Sequence, residues 1–167
     1  MNFIAIDFET ATAKRSSACA VGIITVENGK IIDEYQTFIQ PPDNEYAFYN
    51  SKVHGITAND TIDSPFFPDI YSEIRDRLYK QTIVAHNEVF DRSVLQKTME
   101  YYDLDYLELN APNSHWKCTL KIYREKGYDP ASLDACCKRQ GIQLNHHEAL
   151  SDAKGCAMLF LKHNKIK

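Results

Sequence analysis

The chain has 167 residues, of which 44% are hydrophobic and 25% charged, and its formal net charge at pH 7 is −4. This length suffices for a hydrophobic core, and we expect residues 1–167 to form a single domain. The composition excludes a disordered or low-complexity protein, and no apolar run approaches the length of a membrane span. We therefore expect a cytoplasmic protein with no membrane partner. The negative charge also argues against a protein that binds nucleic acid mainly through its overall field.

The five cysteines are an odd number, and none of them forms a C-x-x-C pair. Cys136 and Cys137 are adjacent, which suits neither a zinc site nor an ordinary disulfide framework. We expect all five to be reduced thiols that pack as small hydrophobic side chains.

The chain opens with an apolar run, Phe3 to Ile6, which is typical of a buried strand and is followed by Asp7 and Glu9. Alternate residues of a strand point the same way, so these two acids share one face. Like charges at the end of a buried strand repel each other and lose hydration, and a divalent cation with oxygen ligands would offset both costs. The alternative is that the two acids only solvate a strand that emerges into water.

Three further strands are predicted. Residues 19–26 are apolar and rich in β-branched side chains, residues 31–39 resume as a strand after a turn, and residues 81–85 form a short β-branched strand. Asn28-Gly29 lies between the first two of them and is a strong signal for a two-residue hairpin. The first forty residues therefore contain three strands able to pair antiparallel.

Apolar residues at helical spacing predict helices over residues 70–79, 89–99, 115–126 and 133–140, and a last helix that contains residues 153–161. No repeat and no linker divides the chain. Strands followed by helices in this way are typical of a single α/β domain.

Two more acids and a histidine lie at the ends of these elements. Asp91 follows the strand at 81–85 and lies in the first turns of a helix, where the helix dipole favours a carboxylate and where α/β sheets usually place their ligands. Asp152 lies on the last helix, and His147 precedes it by five residues. Taken alone, each has a plainer interpretation: a helix-start acid, a solvated helix face and a surface histidine.

Three motifs combine these residues. They are Asp7-Phe8-Glu9-Thr10, His86-Asn87-x-x-Phe90-Asp91 and His147-x-x-x-x-Asp152. In this order and spacing they resemble the three motifs of the DEDDh (DnaQ-like) 3′→5′ exonucleases, a family that includes the proofreading epsilon subunit of bacterial DNA polymerase III. The resemblance covers essentially the whole chain.

The resemblance implies an α/β fold of the RNase H-like (DnaQ-like exonuclease) type. Its mixed five-stranded sheet has the first three strands antiparallel and is flanked by helices. It also implies that Asp7, Glu9, Asp91 and Asp152 hold two Mg²⁺ or Mn²⁺ ions and that His147 is the general base. Oxygen donors without thiolates suit these ions better than zinc, and a histidine near its ordinary pKa can accept a proton at neutral pH.

The substrate implied is the 3′ end of single-stranded nucleic acid, with DNA favoured over RNA, and a DNA polymerase is one protein partner that the resemblance allows. Phe8 and Thr10 are candidates for contact with the terminal nucleotide, although Phe8 could equally be a core residue. His54, His86 and Asn87 are further candidates; for His86 a structural hydrogen bond is favoured over a role as the base. The competing function is a non-catalytic nucleic-acid-binding or polymerase-associated module on the same fold.

Overall fold

The computed structural model describes residues 1–109 and 115–165. Within these residues, no helix has both the length and the apolar character needed to cross a membrane. The five strands found there are β1 (Phe3–Thr10), β2 (Ala18–Glu27), β3 (Lys30–Phe38), β4 (Thr82–Ala85) and β5 (His115–Cys118).

The strands form one mixed sheet in the order β3-β2-β1-β4-β5. β1 pairs antiparallel with β2, and β2 pairs antiparallel with β3 through the turn at Asn28-Gly29. β4 pairs parallel with β1, and β5 pairs parallel with β4. The expected five-stranded sheet with three antiparallel strands at its start is therefore confirmed.

Seven α-helices accompany these strands in the described parts of the chain, with short 3-10 turns at Pro42–Asn44 and Tyr106–Leu109. The helices are α1 (Phe48–His54), α2 (Ala58–Thr61), α3 (Phe67–Leu78), α4 (Glu88–Tyr101), α5 (Thr119–Glu125), α6 (Leu133–Arg139) and α7 (Ala149–Lys165).

The helix predicted over residues 115–126 is wrong in its first turn. Residues 115–118 form β5, which pairs along β4 with Ile83 opposite Trp116, and α5 begins only at Thr119. Trp116, Leu120 and Tyr123 have helical spacing, but Trp116 packs on the sheet as part of a strand. Pairing with a neighbouring strand is a tertiary interaction, and it overrides a local pattern this short.

Alternate residues of β1 enter two different hydrophobic layers. Ile4, Ile6 and Phe8 pack in the layer that contains the buried faces of α3 and α4. Phe3 and Ala5 pack in the layer that contains α6 and α7. All five cysteines of the chain are free and buried, as expected for thiols used as core residues.

Candidate active site

The carboxylates of β1 continue the face of the strand that is directed at α7. Asp7 and Glu9 follow Phe3 and Ala5 in the strand alternation, and that face packs against the last helix. Asp152 lies in the first turn of α7 and is only 4% exposed. One carboxylate oxygen from each of Asp7, Glu9 and Asp152 lies within 4.8 Å of the other two. The structure therefore brings together three of the four predicted acids from two distant parts of the chain.

Asp91 approaches the other three acids from α4, which packs on the opposite face of the sheet from α7. It lies in the first turn of α4, is 1% exposed, and its Oδ1 accepts a hydrogen bond of 3.0 Å from the backbone N–H of Phe8. Asn87 makes this approach possible, because its left-handed backbone (φ 69°) turns the chain from β4 into α4. Phe8 lies between Asp7 and Glu9, so the bond fixes Asp91 beside both of them.

Gly22 allows α7 to begin close to the sheet. It lies opposite Asp7 in the β1–β2 register. A Cβ atom at this position would overlap the backbone of Ala149 and Leu150, the first two residues of α7. A side chain at residue 22 would therefore displace the helix turn that carries Asp152.

Crowding and burial make the acids hard to ionise in the absence of a cation. Burial raises the pKa of Asp7 well above its ordinary value, and the charges of Asp91, Glu9 and Asp152 raise it further. Burial together with Asp152 and Asp91 raises the pKa of Glu9 to about 8. Burial likewise raises the pKa of Asp91, although the hydrogen bond from the Phe8 N–H and the positive charge of Arg15 oppose that shift.

His147 lies two residues before α7 in a left-handed conformation (φ 70°), and its backbone N–H donates to Asp152 Oδ2 over 3.0 Å. Its neighbour His146 places Nδ1 2.9 Å from the same oxygen, and the two imidazoles stack with centroids 3.8 Å apart. The ring nitrogens of His147 have no hydrogen-bond partner among the described residues. Burial and His146 lower the pKa of His147, while Asp152 and Asp134 oppose this change.

The sequence matches a known protein family over almost its whole length. Residues 4–160 match the model of a protein family described as exonuclease (RNase T). The chain belongs to this exonuclease family. The predicted resemblance to DnaQ-like 3′→5′ exonucleases and the assignment as a hydrolase are thereby confirmed.

Individual relatives of this exonuclease agree with that result. It is 30% identical to a DNA polymerase III PolC-type of Thermotoga maritima over 96% of this chain, but it spans only 12% of the length of that polymerase. E. coli exonuclease I, solved with a dT13 oligonucleotide, is 16% identical with a TM-score of 0.86 over 96% of this chain and 40% of that one. The nuclease domain of 3′hExo, a DEDDh family member bound to rAMP, is 17% identical with a TM-score of 0.80 over 99% of this chain and 92% of that one. At 16% and 17% identity, these two structural comparisons show a shared fold.

Two cavities of the exonuclease meet at the acid cluster. The main cavity, of about 770 Å³, is lined by Asp7, Glu9, Phe90 and Asp152 and extends toward α5 and α6. A side cavity of about 290 Å³ lies toward α1 and shares Glu9 and Phe90 with the first. The acids therefore lie where two separate binding spaces join.

The predicted substrate-binding residues occupy different positions around these cavities. Thr10 lines the side cavity, where its backbone oxygen accepts hydrogen bonds from Asn50 Nδ2 at 2.9 Å and His54 Nε2 at 3.1 Å. Phe8 lines the main cavity, but it is 2% exposed and packs in the core, which leaves its ring almost no surface for a base. The side chain of Asn87 is exposed. No sequence signal indicated Asn50, whose role is visible only in three dimensions.

His54 and His86 are both held by the protein through both ring nitrogens. His54 Nδ1 accepts the Ile56 N–H over 3.0 Å, so its Nε2 carries the proton donated to Thr10. His86 Nε2 contacts the Ala131 carbonyl at 3.0 Å and Nδ1 contacts the Thr119 hydroxyl at 2.9 Å. A histidine bonded in this way has no free nitrogen with which to accept a proton. This agrees with the expectation that His86 makes a structural hydrogen bond and is not the base.

The acid cluster fits divalent cations on the chemistry of its donors. Asp152 Oδ1 is buried without a hydrogen-bond partner, which is costly unless a ligand occupies that position. Within the described ranges, no Lys or Arg forms an ion pair with Asp7, Glu9, Asp91 or Asp152, and Asp152 Oδ2 is contacted by His146 Nδ1 at 2.9 Å. Clustered carboxylate oxygens that lack a cationic side chain are the ligands that hard divalent ions prefer.

His86→Ala is expected to weaken folding more than catalysis. Burial lowers the pKa of His86 to about 4, against about 6.5 in an unfolded chain. Because the folded protein resists protonation at His86, acidification from pH 6.5 toward 4 favours unfolding, and the variant should lose less stability over this window than the wild type. Loss of the His86 hydrogen bonds to the Thr119 hydroxyl and the Ala131 carbonyl should lower the free energy of unfolding by about 1–3 kcal/mol at neutral pH.

Thermal unfolding of wild type, His86→Ala and the control His115→Ala, which alters an exposed residue, measures both effects. A His86→Ala variant with unchanged stability and strongly reduced activity would instead indicate that His86 acts on the substrate.

Proposed function

We propose that this exonuclease removes nucleoside 5′-monophosphates one at a time from the 3′ end of single-stranded DNA, with two Mg²⁺ or Mn²⁺ ions held by Asp7, Glu9, Asp91 and Asp152. The observation that carries the proposal is the cluster of Asp7, Glu9 and Asp152, whose carboxylate oxygens lie within 4.8 Å of one another, with Asp91 bonded to the Phe8 N–H beside them. Such a cluster is expensive to bury, and its position where two cavities meet is suited to a scissile phosphate.

When bound, the two cations would neutralise charge on the attacked phosphate and on the oxygen that leaves it. His147 accepts a proton from the attacking water, whose oxygen forms a new bond to phosphorus. The bond between phosphorus and the 3′ oxygen of the preceding nucleotide breaks, and that oxygen takes up a proton from solvent. The products are a nucleoside 5′-monophosphate and a strand shorter by one nucleotide.

His147 is better suited than the other histidines of the site to act as the base. His86 and His54 use both ring nitrogens in bonds to the protein, and His146 uses Nδ1 to contact Asp152. The ring of His147 lines the main cavity beside the acids. Its lowered pKa keeps it neutral at pH 7, which is the form that accepts a proton.

The terminal nucleotide is proposed to occupy the side cavity. Thr10, His54 and Phe90 line this cavity next to Glu9, together with the exposed Tyr49. Aromatic side chains stack on bases with little preference for sequence, as a general exonuclease requires. The hydrogen bonds from Asn50 and His54 to Thr10 hold this wall against β1.

DNA is favoured as the substrate because the PolC-type relatives are DNA polymerases by name. The same relatives support a DNA polymerase as a partner in proofreading. They are far longer than this chain, which spans 11–12% of the first three of them.

Digestion of a 5′-labelled single-stranded DNA oligonucleotide tests the function. We expect a ladder of products shortened one nucleotide at a time with Mg²⁺ or Mn²⁺, and no ladder in EDTA. An RNA oligonucleotide of the same sequence should be digested more slowly. Binding of the oligonucleotide without a ladder under either ion would support the non-catalytic module instead.

His147→Ala should lower kcat by roughly 10²–10⁴-fold, the usual contribution of a positioned general base. Single-turnover digestion under saturating Mn²⁺ measures this loss without interference from product release. His115→Ala, which removes an exposed imidazole from β5, is the matched control and should retain wild-type rates. A His147→Ala variant within threefold of the wild type would exclude His147 as the base.

A further inference from the structure

The main cavity extends well beyond the acid cluster to a wall formed by α5 and the segment that follows it. Leu120 and Arg124 both line this wall, as expected for residues four apart on one face of a helix. Tyr128 and Pro130 continue the wall toward α6. None of these residues belongs to the three acidic motifs, and the proposed chemistry does not use them.

Arg124 is the one Lys or Arg among the described residues that line this cavity. Its guanidinium forms no hydrogen bond or ion pair with the part of the chain that the structure describes, and the residue is exposed. Four carboxylates line the same cavity, those of Asp7, Glu9, Asp129 and Asp152. The guanidinium of Arg124 is therefore a single positive charge among four acids. An unpaired guanidinium in such a position is suited to bind a phosphate.

Tyr128 lines the same wall as Arg124 and is held by three contacts with the protein. Its ring packs against Tyr123 with centroids 4.9 Å apart and planes at 85°, and the Arg139 guanidinium lies 5.1 Å from the ring centroid. Its hydroxyl accepts a 2.6 Å hydrogen bond from Gln140 Nε2. An aromatic ring fixed in this way can contact a base without losing further conformational entropy.

The wall is also connected directly to the catalytic end of the cavity. His86, which directly follows β4 and lines the cavity with Asp7 and Glu9, contacts the carbonyl of Ala131 at 3.0 Å, and Ala131 lies within the segment that follows Tyr128. The positions of the acids and of the far wall are therefore fixed relative to each other by a hydrogen bond across the cavity.

We propose that Arg124 and Tyr128 form a subsite for the second nucleotide from the 3′ end. Arg124 binds the phosphate on the 5′ side of that nucleotide, and Tyr128 contacts its base. The inference rests on the proposed function, in which the terminal nucleotide fills the side cavity and the rest of the strand leaves through the main cavity. The subsite makes the enzyme favour strands that carry a phosphate one nucleotide upstream of the scissile bond.

Three small substrates separate this subsite from the chemistry. The dinucleotide pTpT carries the 5′ phosphate that Arg124 would bind, and TpT lacks it. The p-nitrophenyl ester of thymidine 5′-monophosphate has a single nucleotide, so it reaches the acids without using the subsite. For the wild type we expect KM for pTpT to be roughly tenfold lower than for TpT, the effect of one charge-assisted contact.

Arg124→Gln should abolish the difference between pTpT and TpT and leave kcat/KM for the ester unchanged. Arg124→Lys should restore part of the preference, because the charge is retained. Lys138→Gln removes one exposed positive charge from neighbouring α6, outside the cavity lining, and should behave as the wild type.

With a longer dT oligonucleotide, Arg124→Gln should reduce the slope of log KM against log salt by about 0.7, the value for one phosphate contact on a single strand.

Equal KM values for pTpT and TpT in the wild type would overturn the subsite while leaving the exonuclease function intact. An equal loss on pTpT, TpT and the ester in Arg124→Gln would also overturn it, since the residue would then support the fold or the acids. Failure of the wild type to cleave any of the three substrates, or an oligonucleotide, would overturn the proposed function as well.

Discussion

Asp7→Asn is expected to abolish nuclease activity and to stabilise the metal-free protein. Burial and three neighbouring carboxylates make ionised Asp7 costly in the folded state, and an amide removes that charge at nearly the same volume. We expect the metal-free variant to gain about 2 kcal/mol at pH 8, which corresponds to a rise in Tm of roughly 5 °C. Activity should fall by about 10³-fold or more, because one of the proposed ligands of the cations is lost.

The stability gain should depend on pH in a defined direction. The pKa of Asp7 in the folded protein lies above its value of about 4 in an unfolded chain. Between these two values the folded state binds more protons than the unfolded state, so the stability of the metal-free wild type falls as the pH rises. The advantage of Asp7→Asn should therefore be absent at pH 4 and grow toward pH 8.

Thermal unfolding in EDTA and in Mn²⁺ measures these effects, with exposed Asp63→Asn as a control for the loss of one carboxylate. Mn²⁺ should raise the Tm of the wild type and of Asp63→Asn, and it should have a much smaller effect on Asp7→Asn. A metal-free Asp7→Asn variant that is less stable than the wild type at pH 8 would contradict the view that charge repulsion strains this site.

Gly22→Ala is expected to destabilise the protein and to inactivate what remains folded. The added methyl group would meet the backbone of Ala149 and Leu150, which cannot rotate away as a side chain can. Overpacking of this kind costs about 3 kcal/mol. Because Asp152 lies in the displaced turn, a shift of about 1 Å should lower kcat by roughly 10²-fold in the folded fraction.

Gly155→Ala is the matched control, since it adds the same methyl group at a buried glycine of α7. Its nearest neighbours are side-chain atoms, Leu144 Cδ1 at 2.7 Å and Cys137 Sγ at 3.1 Å, which can adjust. Unfolding in urea and single-turnover digestion with Mn²⁺ compare the two variants. Equal effects of Gly22→Ala and Gly155→Ala on both measurements would show that the approach of α7 to β2 is not critical.

The parts of the fold that depend on local pattern could be predicted from the sequence. The alternation of β1 placed Asp7 and Glu9 on one face, and Asn28-Gly29 located the first hairpin. β5 could not be found in this way, because its four residues become a strand only by pairing with β4. The fifth strand was expected from the family resemblance alone.

The site shows the same division. The motifs predicted Asp91, His147 and Asp152 as site residues, whereas the contacts of His146 with Asp152 and His147 depend on ring positions that no motif encodes. Gly22 did leave a signal, because a glycine inside a β-branched run often marks a close approach of another backbone. Arg124 left none: an arginine on a short helix is ordinary until the fold places it in the cavity.

The most direct test of the account is the anomalous scattering of Mn²⁺ in crystals grown with thymidine 5′-monophosphate. We predict two peaks among the carboxylates of Asp7, Glu9, Asp91 and Asp152, with the phosphate of the nucleotide beside them. The absence of any peak at these carboxylates under saturating Mn²⁺, with the nucleotide bound, would contradict the central claim that the acids exist to hold catalytic cations.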